Sequence, residues 1–308
     1  MPPHFISGDI GQHDPEAVSK IFEQHNITHI DTAARYQNGE SEKIIGRSSL
    51  PKQISINTKI LITEMTDPFL LPDRIEKSLM NSLKVLNLGQ VDTRYCHGPD
   101  SIIPIADQAK ALNEHYKQGR FKHLGVSNFS TEMLQEWLDI AGEEGYVKPS
   151  WYQGQYNLLC RGHEDTLFPL LRKHGIHYAG YAPLGGGFLL GNFTEDGVQA
   201  GKRFSLQTPY VKWYDHASMH EAVKKLNGVS ERAGVEMDEL SLRWLVYHSA
   251  LEEGDAVILG LSSKLTHFES SLKKAQGGPL ESGVAAGLSA LWEGVKADGM
   301  DMIDTRKW

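Results

Sequence analysis

Cysteine is scarce: Cys96 and Cys160 are the only two in 308 residues. That excludes a secreted disulfide scaffold and a thiolate metal centre with regular ligand spacing. Basic excess is missing as well. The formal net charge is −8, and short basic clusters such as Lys202-Arg203, Lys224-Lys225 and Lys273-Lys274 make no basic stripe for a nucleic-acid backbone. No apolar run approaches the roughly 18 residues needed to span a bilayer. The opening Met1-Pro2-Pro3-His4 has neither the basic nor the apolar part of a secretory signal. These absences lead us to expect a protein of a reducing, cytoplasmic compartment with no nucleic-acid or membrane partner and no metal. No Gly-x-Gly-x-x-Gly follows a strand, so a Rossmann-type dinucleotide domain is not expected. No linker, low-complexity tract or short internal repeat divides the chain, and residues 1–308 are expected to form a single domain.

What is present is alternation. Hydrophobic residues make up 40% of the chain and charged residues 23%, the balance of an ordinary globular protein. Short apolar strands are predicted near 3–8, 28–32, 53–58, 91–96, 121–126, 149–155, 177–182 and 256–259. Amphipathic helices are predicted near 14–25, 39–48, 71–87, 104–118, 131–143, 164–174, 238–249 and 264–275. Ile75, Leu79, Leu83 and Leu86 show the helical spacing, with Pro72 suited to the first turn and Gly89 to the stop. Eight strand–helix units predict an α/β (β/α)₈ TIM barrel. The segment 185–214 breaks the rhythm and is expected to be a long lid loop. Two further helices, near 215–233 and 281–297, lie outside the repeat.

Four strand ends carry the chemistry. They are Asp31-Thr32-Ala33 followed by Tyr36, Asn57-Thr58-Lys59, Tyr95-Cys96-His97, and Gly125-Val126-Ser127-Asn128. Active sites of such barrels lie at the carboxyl ends of the strands. A phenol titrates near 10 in water, too high for a ready acid at neutral pH, and a nearby ammonium lowers that value. Lys59, if buried, needs a counter-charge, which Asp31 can supply. The expected catalytic unit is therefore Tyr36 as proton donor, Lys59 as its tuner, Asp31 as the anchor of Lys59, and His97 as a donor to a carbonyl oxygen. Singly, each residue fits a turn, a cap or core packing. Jointly, at consecutive strand ends, they fit carbonyl reduction.

These motifs together resemble those of the aldo-keto reductase superfamily, over about residues 14 to 297. Tyr152-Gln153-Gly154-Gln155-Tyr156-Asn157, Tyr181-Ala182-Pro183-Leu184-Gly185-Gly186-Gly187 and Ala256-Val257-Ile258-Leu259-Gly260 extend the likeness. His97-Gly98-Pro99-Asp100 and Gly278-Pro279-Leu280-Glu281 make it most similar to the aflatoxin-aldehyde (succinic semialdehyde) reductase branch. The resemblance implies NADPH as hydride donor, bound extended, and an aldehyde or ketone as substrate. It implies that Ser127, Asn128 and Gln153 hold the nicotinamide carboxamide and that the Tyr181 ring stacks on the nicotinamide. Pro183, Leu184, Gly185, Lys202 and Arg203 would line the cofactor's path. Gly260, Ser262, Ser263 and Lys264 would meet its adenosine phosphate, where hydroxyls, an amine and a helix N-terminus suit a dianion. Two segments depart from the family. Thr266-His267-Phe268-Glu269-Ser270-Ser271 carries His267 and Ser271 where a Gln and an Asn are usual, with a spacing one residue longer. Phe5-Ile6-Ser7-Gly8-Asp9-Ile10 stands where a Gly-Thr pair usually ends the first strand.

Arg35, Lys212, Trp213 and Tyr214 are the residues expected to meet substrate, the cations favouring an acidic aldehyde. Two alternatives stay open at the level of sequence. One is a cofactor-binding regulatory subunit with little turnover, as in potassium-channel β-subunits. The other is a specialist biosynthetic carbonyl reductase. A homo-oligomer is compatible with either.

Overall fold

A computed structural model describes residues 3–11, 13–62, 67–191, 193, 209–261 and 264–303. Eight parallel strands close on themselves in sequence order: β1 His4–Ser7, β2 His29–Asp31, β3 Ser55–Lys59, β4 Val91–Cys96, β5 Phe121–Ser127, β6 Trp151–Gln155, β7 His177–Tyr181 and β8 Ala256–Leu259. Closure is made by β1 pairing with β8, His4 to Ala256 through Ser7 to Leu259. The α/β (β/α)₈ barrel read from the alternation is the fold of this protein, and each predicted strand lies within two residues of its place.

The helices follow local chemistry. The first, α1 (Pro15–His25), begins at Asp14, whose carboxylate accepts from Glu16 N at 3.2 Å, and ends at Asn26 with φ 55°. Next come α2 (Glu40–Arg47) and α3 (Pro72–Leu86). The third stops on Asn87 at φ 56°, two residues ahead of the expected Gly89, because asparagine also tolerates the left-handed cap. They are followed by α4 (Ile105–Lys117) and α5 (Thr131–Glu144). Ser130 caps the latter by accepting from Met133 N at 3.2 Å. The predicted helix at 164–174 is two, α6 (His163–Thr166) and α7 (Phe168–His174). Pro169 in the first turn of α7 has no N–H to give to a helix continuing from α6. Further along the chain lie α8 (Pro209–Tyr214), α9 (Ala217–Ala233), α10 (Met237–Tyr247), α11 (Leu265–Ala275), α12 (Ser282–Ser289) and α13 (Leu291–Asp301). Thus α9 and the pair α12–α13 are the additions foreseen outside the repeat, the latter broken at Ala290. Of the expected lid, Gly185–Leu190 forms a 3-10 turn and α8 its far end; residues 192 and 194–208 lie outside the described residues.

Strand alternation divides the core. Ile6, Ala179, Ala256 and Ile258 form a small cluster from β1, β7 and β8, apart from the large cluster shared with the helices. On β3, Asn57 and Lys59 share one face and Ile56 and Thr58 the other, as period-two geometry requires. Gly125 faces Tyr95 across the β4–β5 pair, and a Cβ there would stand 2.3 Å from the Tyr95 ring. Glycine at this position is what lets that ring occupy the barrel.

Burial also sets the acid stability. His163 is packed beside Tyr178, with Nδ1 2.9 Å from its hydroxyl, and burial lowers the pKa of His163 from 6.5 to about 3. The folded imidazole stays neutral while the unfolded one gains a proton below 6.5, so this contribution is lost as pH falls from 6.5 towards 3. The rate is about 1.4 kcal/mol per pH unit. His4 and His29 are shifted the same way, first by desolvation. Urea unfolding at about pH 7 and about pH 5 should show His163→Gln losing roughly 2 kcal/mol less than the parent. Equal losses would remove His163 from the account.

Candidate active site

The four expected catalytic residues meet at the carboxyl ends of β2, β3 and β4. Asp31 ends β2 and Lys59 ends β3, and the two strands are held in register by the Asp31–Asn57 pair. Lys59 Nζ donates to Asp31 Oδ2 at 2.5 Å and to the Thr32 carbonyl at 2.9 Å. The lysine is fully buried and Asp31 nearly so. Nζ lies 4.9 Å from the centroid of the Tyr36 ring. His97, one residue past β4, meets Tyr36 edge to face, with centroids 5.8 Å apart and planes at 78°.

The electrostatics modify the expectation for the phenol. Desolvation raises the pKa of Tyr36, and the charge and hydrogen bond of Lys59 pull it down without overcoming that rise; Asp31 and Asp9 add to it. The phenol is therefore held above its ordinary value, not acidified below it. The sequence argument counted the ammonium and not the loss of water. Burial works against the charged form of Lys59, but Asp31 and then Tyr36 outweigh it and the ammonium is held above its ordinary value. His97 is lowered well below the usual imidazole range by desolvation, then by Lys59, Arg35 and Arg94. The site thus combines a neutral phenol, an ammonium and a neutral imidazole. His97 Nδ1 is buried with no partner among the described residues.

The neighbouring strand ends build a second group. Asn128 follows β5 with φ 63° and donates to the His97 carbonyl at 3.3 Å and to Ser127 Oγ at 3.0 Å. Its Oδ1 accepts from the Tyr181 hydroxyl at 2.9 Å. Gln153 on β6 donates to Asp31 Oδ1 at 2.9 Å. It therefore supports the Lys59–Asp31 pair from below, a role the sequence reading did not give it. Also missed was Asp100, whose carboxylate accepts from the backbone N–H groups of Phe69 and Leu70 at 2.7 and 2.8 Å, and of Ile102 and Ile103 at 2.9 and 3.2 Å. This buried side chain ties the loop before α3 to the loop after His97. Its signal was the Pro99-Asp100 turn pair.

The remaining expected residues scatter. Pro183 and Gly185 are buried and Leu184 is half-buried. Gly185, Gly186 and Gly187 have φ 59°, 68° and 107°, and Cβ atoms on the first two would press on Tyr214 and Tyr210 at 3.1 and 2.5 Å. Gly260 is open, with nothing within 4 Å of where a Cβ would stand, and Lys264 is exposed at the cap of α11. His267 and Ser271 are joined by a hydrogen bond within α11, Ser271 Oγ to His267 O at 3.0 Å. Lys202, Arg203, Ser262 and Ser263 lie outside the described residues. Arg35 and Lys212 are exposed and Trp213 is half-buried. Tyr214 is not on an open wall: it is fully buried and its hydroxyl accepts from Gln155 at 2.8 Å and Asn157 at 2.9 Å. The aromatic pattern of the lid did not show which ring turns inward.

Among the described residues no group of three or more His, Cys, Asp or Glu is placed to hold a metal ion, and no helix is long and apolar enough to cross a membrane. The orphaned Nδ1 of His97, the open backbone at Gly260 and Lys264 at a helix N-terminus suit an anionic cofactor.

The model of the aldo/keto reductase family matches residues 12–293. Aflatoxin B1 aldehyde reductase member 4 of Homo sapiens is 34% identical over 295 residues, covering 90% of this chain and 88% of the relative. Aflatoxin B1 aldehyde reductase member 2 of Rattus norvegicus is 34% identical over 295 residues, covering 90% and 79%. Oxidoreductase sirO of Leptosphaeria maculans is 33% identical over 285 residues, covering 90% and 85%.

Proposed function

The chain belongs to the aldo/keto reductase family and is an oxidoreductase, and on that premise we propose that it reduces an aldehyde or ketone to the alcohol with NADPH, Tyr36 giving the proton. The observation that carries this reading is the contact of Lys59 with both Asp31 and Tyr36, at 2.5 Å from the carboxylate and 4.9 Å from the ring centroid. When bound, reduced nicotinamide supplies a hydride. Everything else falls to the protein. Tyr36, neutral at the enzyme's working pH, holds its proton until negative charge builds on the substrate oxygen. Lys59 then stabilises the phenolate that remains. Asp31, itself held by Gln153, keeps that ammonium charged and aimed. Neutral His97 donates a hydrogen bond to the same oxygen, which fixes the carbonyl against the phenol.

Ser127, Asn128 and Gln153 are assigned to the nicotinamide carboxamide and Tyr181 to its ring. The bonds of the Asn128 amide to the Tyr181 hydroxyl and to the His97 backbone carbonyl support this by fixing the orientation of Tyr181 and Asn128. Gly260, Ser262, Ser263 and Lys264 are assigned to the adenosine phosphate, and Pro183, Leu184, Gly185, Lys202 and Arg203 to the stretch between. Arg35, Lys212 and Trp213 remain the proposed substrate contacts. Residues 1–308 are taken as one domain in a reducing, cytoplasmic compartment.

The test is oxidation of NADPH and of NADH with a panel of small aldehydes. Turnover on several of them, with NADPH preferred, is expected. Tight NADPH binding without turnover would replace this reading with that of a cofactor-binding subunit.

A further inference from the structure

The backbone that carries Tyr36 is held in an unusual shape. Within the 3-10 turn Tyr36–Gly39, Gln37 and Asn38 have φ 51° and 56°, and Gly39 follows at 87°. Three successive left-handed residues, two of them with side chains, do not persist without restraint from outside the turn.

Asp9 supplies it. This residue lies two positions beyond the end of β1. Its Oδ2 accepts from Gln37 Nε2 at 2.8 Å, and its Oδ1 accepts from the Ser41 hydroxyl at the start of α2. Ser41 Oγ lies 2.7 Å from Thr32 Oγ1, and the Thr32 carbonyl accepts from Lys59 Nζ at 2.9 Å. One carboxylate therefore grips the residue after Tyr36 and closes a chain of hydrogen bonds that returns to Lys59. Gly11 follows at φ 62°, a left-handed turn that glycine adopts without strain. None of the proposed steps above uses this segment.

We propose that Asp9 is a positioning residue for carbonyl reduction, holding the left-handed turn that aims the Tyr36 hydroxyl and keeping an anion beside it. The charged groups around the phenol are Asp9 after β1, Asp31 from β2 and Lys59 from β3, with neutral His97 after β4 and the Tyr181 phenol of β7 as its other titratable neighbours. The two carboxylates disfavour the phenolate and the ammonium favours it. Asp9 thus acts on Tyr36 twice, through the backbone and through its field. The inference rests on reading Tyr36 as the proton donor.

The experiment compares the parent with Asp9→Asn, Asp9→Ala, Gln37→Met and Tyr36→Phe, using NADPH and para-nitrobenzaldehyde. Asp9→Ala should lower kcat on the order of 10²-fold and Gln37→Met about tenfold, with NADPH affinity held within about twofold, because a misplaced donor costs rate and not cofactor binding. Asp9→Asn keeps an acceptor and loses the charge. It should move the alkaline limb of the kcat profile, where Tyr36 loses its proton, to lower pH. A role in packing alone would lower the melting temperature and leave that limb in place. An Asp9→Asn profile that superimposes on the parent's, or an unchanged kcat in Gln37→Met, overturns the proposal. If Asp9→Ala fails to fold, the other two variants still decide. Activity retained in Tyr36→Phe would instead defeat the reading beneath it. An inactive Tyr36→Phe beside unaltered Asp9 and Gln37 variants defeats only the inference.

Discussion

Tyr36→Phe should lower kcat/KM by about three orders of magnitude, within the range that general acids contribute, while the NADPH dissociation constant stays close to that of the parent. The substitution removes one oxygen. The ring keeps its edge-to-face contact with His97 at 5.8 Å and its place 4.9 Å from Lys59 Nζ. The groups assigned to the nicotinamide are Ser127, Asn128, Gln153 and Tyr181, and their hydrogen bonds among the described residues go to groups other than the phenol. A loss of about a thousandfold corresponds to roughly 4 kcal/mol of transition-state stabilisation. Steady-state rates and titration of the NADPH fluorescence measure the two quantities separately. Comparable rates in the two proteins would move the proton donor elsewhere. The pH profile has a determined sign. The phenol is held above its ordinary value, first by desolvation, so activity is present at neutral pH and falls as pH rises through that raised value.

Lys59→Met should give the largest loss of stability, about 3–5 kcal/mol, because it strands a buried carboxylate. Asp31 would retain the Gln153 amide at 2.9 Å and lose its cation. The double variant Asp31→Asn with Lys59→Met should recover most of the loss, since it removes both charges at once. Both variants should be inactive in carbonyl reduction. Chemical denaturation of the parent, the two single variants and the double variant completes the cycle. A Lys59→Met protein as stable as the parent would show that the pair does not hold the barrel end together. The linkage runs with pH as follows. The Lys59 pKa lies above 10.5 in the fold, desolvation being outweighed by Asp31 and Tyr36, so the pair's contribution is complete below 10.5 and is lost as pH climbs through the raised value.

Much of this site was legible because a parallel barrel sends the carboxyl ends of its strands to one mouth. Once Asp31, Lys59 and His97 fall at consecutive strand ends, closure of the sheet brings them together, and Tyr36 follows in the next turn. Side-chain direction was less legible. Gln153 was expected at the cofactor, and its bond to Asp31 was not foreseen. Tyr214 was expected on a wall of the pocket and is buried under Gln155 and Asn157. Neither outcome has a local signal. Each depends on which neighbour from a distant strand offers a hydrogen bond.

Hydrophobic period, caps and breakers are local, so the chain by itself determined the eight strand–helix units, their order and the identity of the polar strand ends. What the packed barrel decided was the balance of opposing effects at those ends. A carboxylate from the first loop reaches Gln37 because β1 and β2 lie side by side in the sheet. The loss of water around Tyr36 exceeds the pull of Lys59. Desolvation and long-range hydrogen bonding belong to the assembled molecule, and spacing along a chain does not encode them.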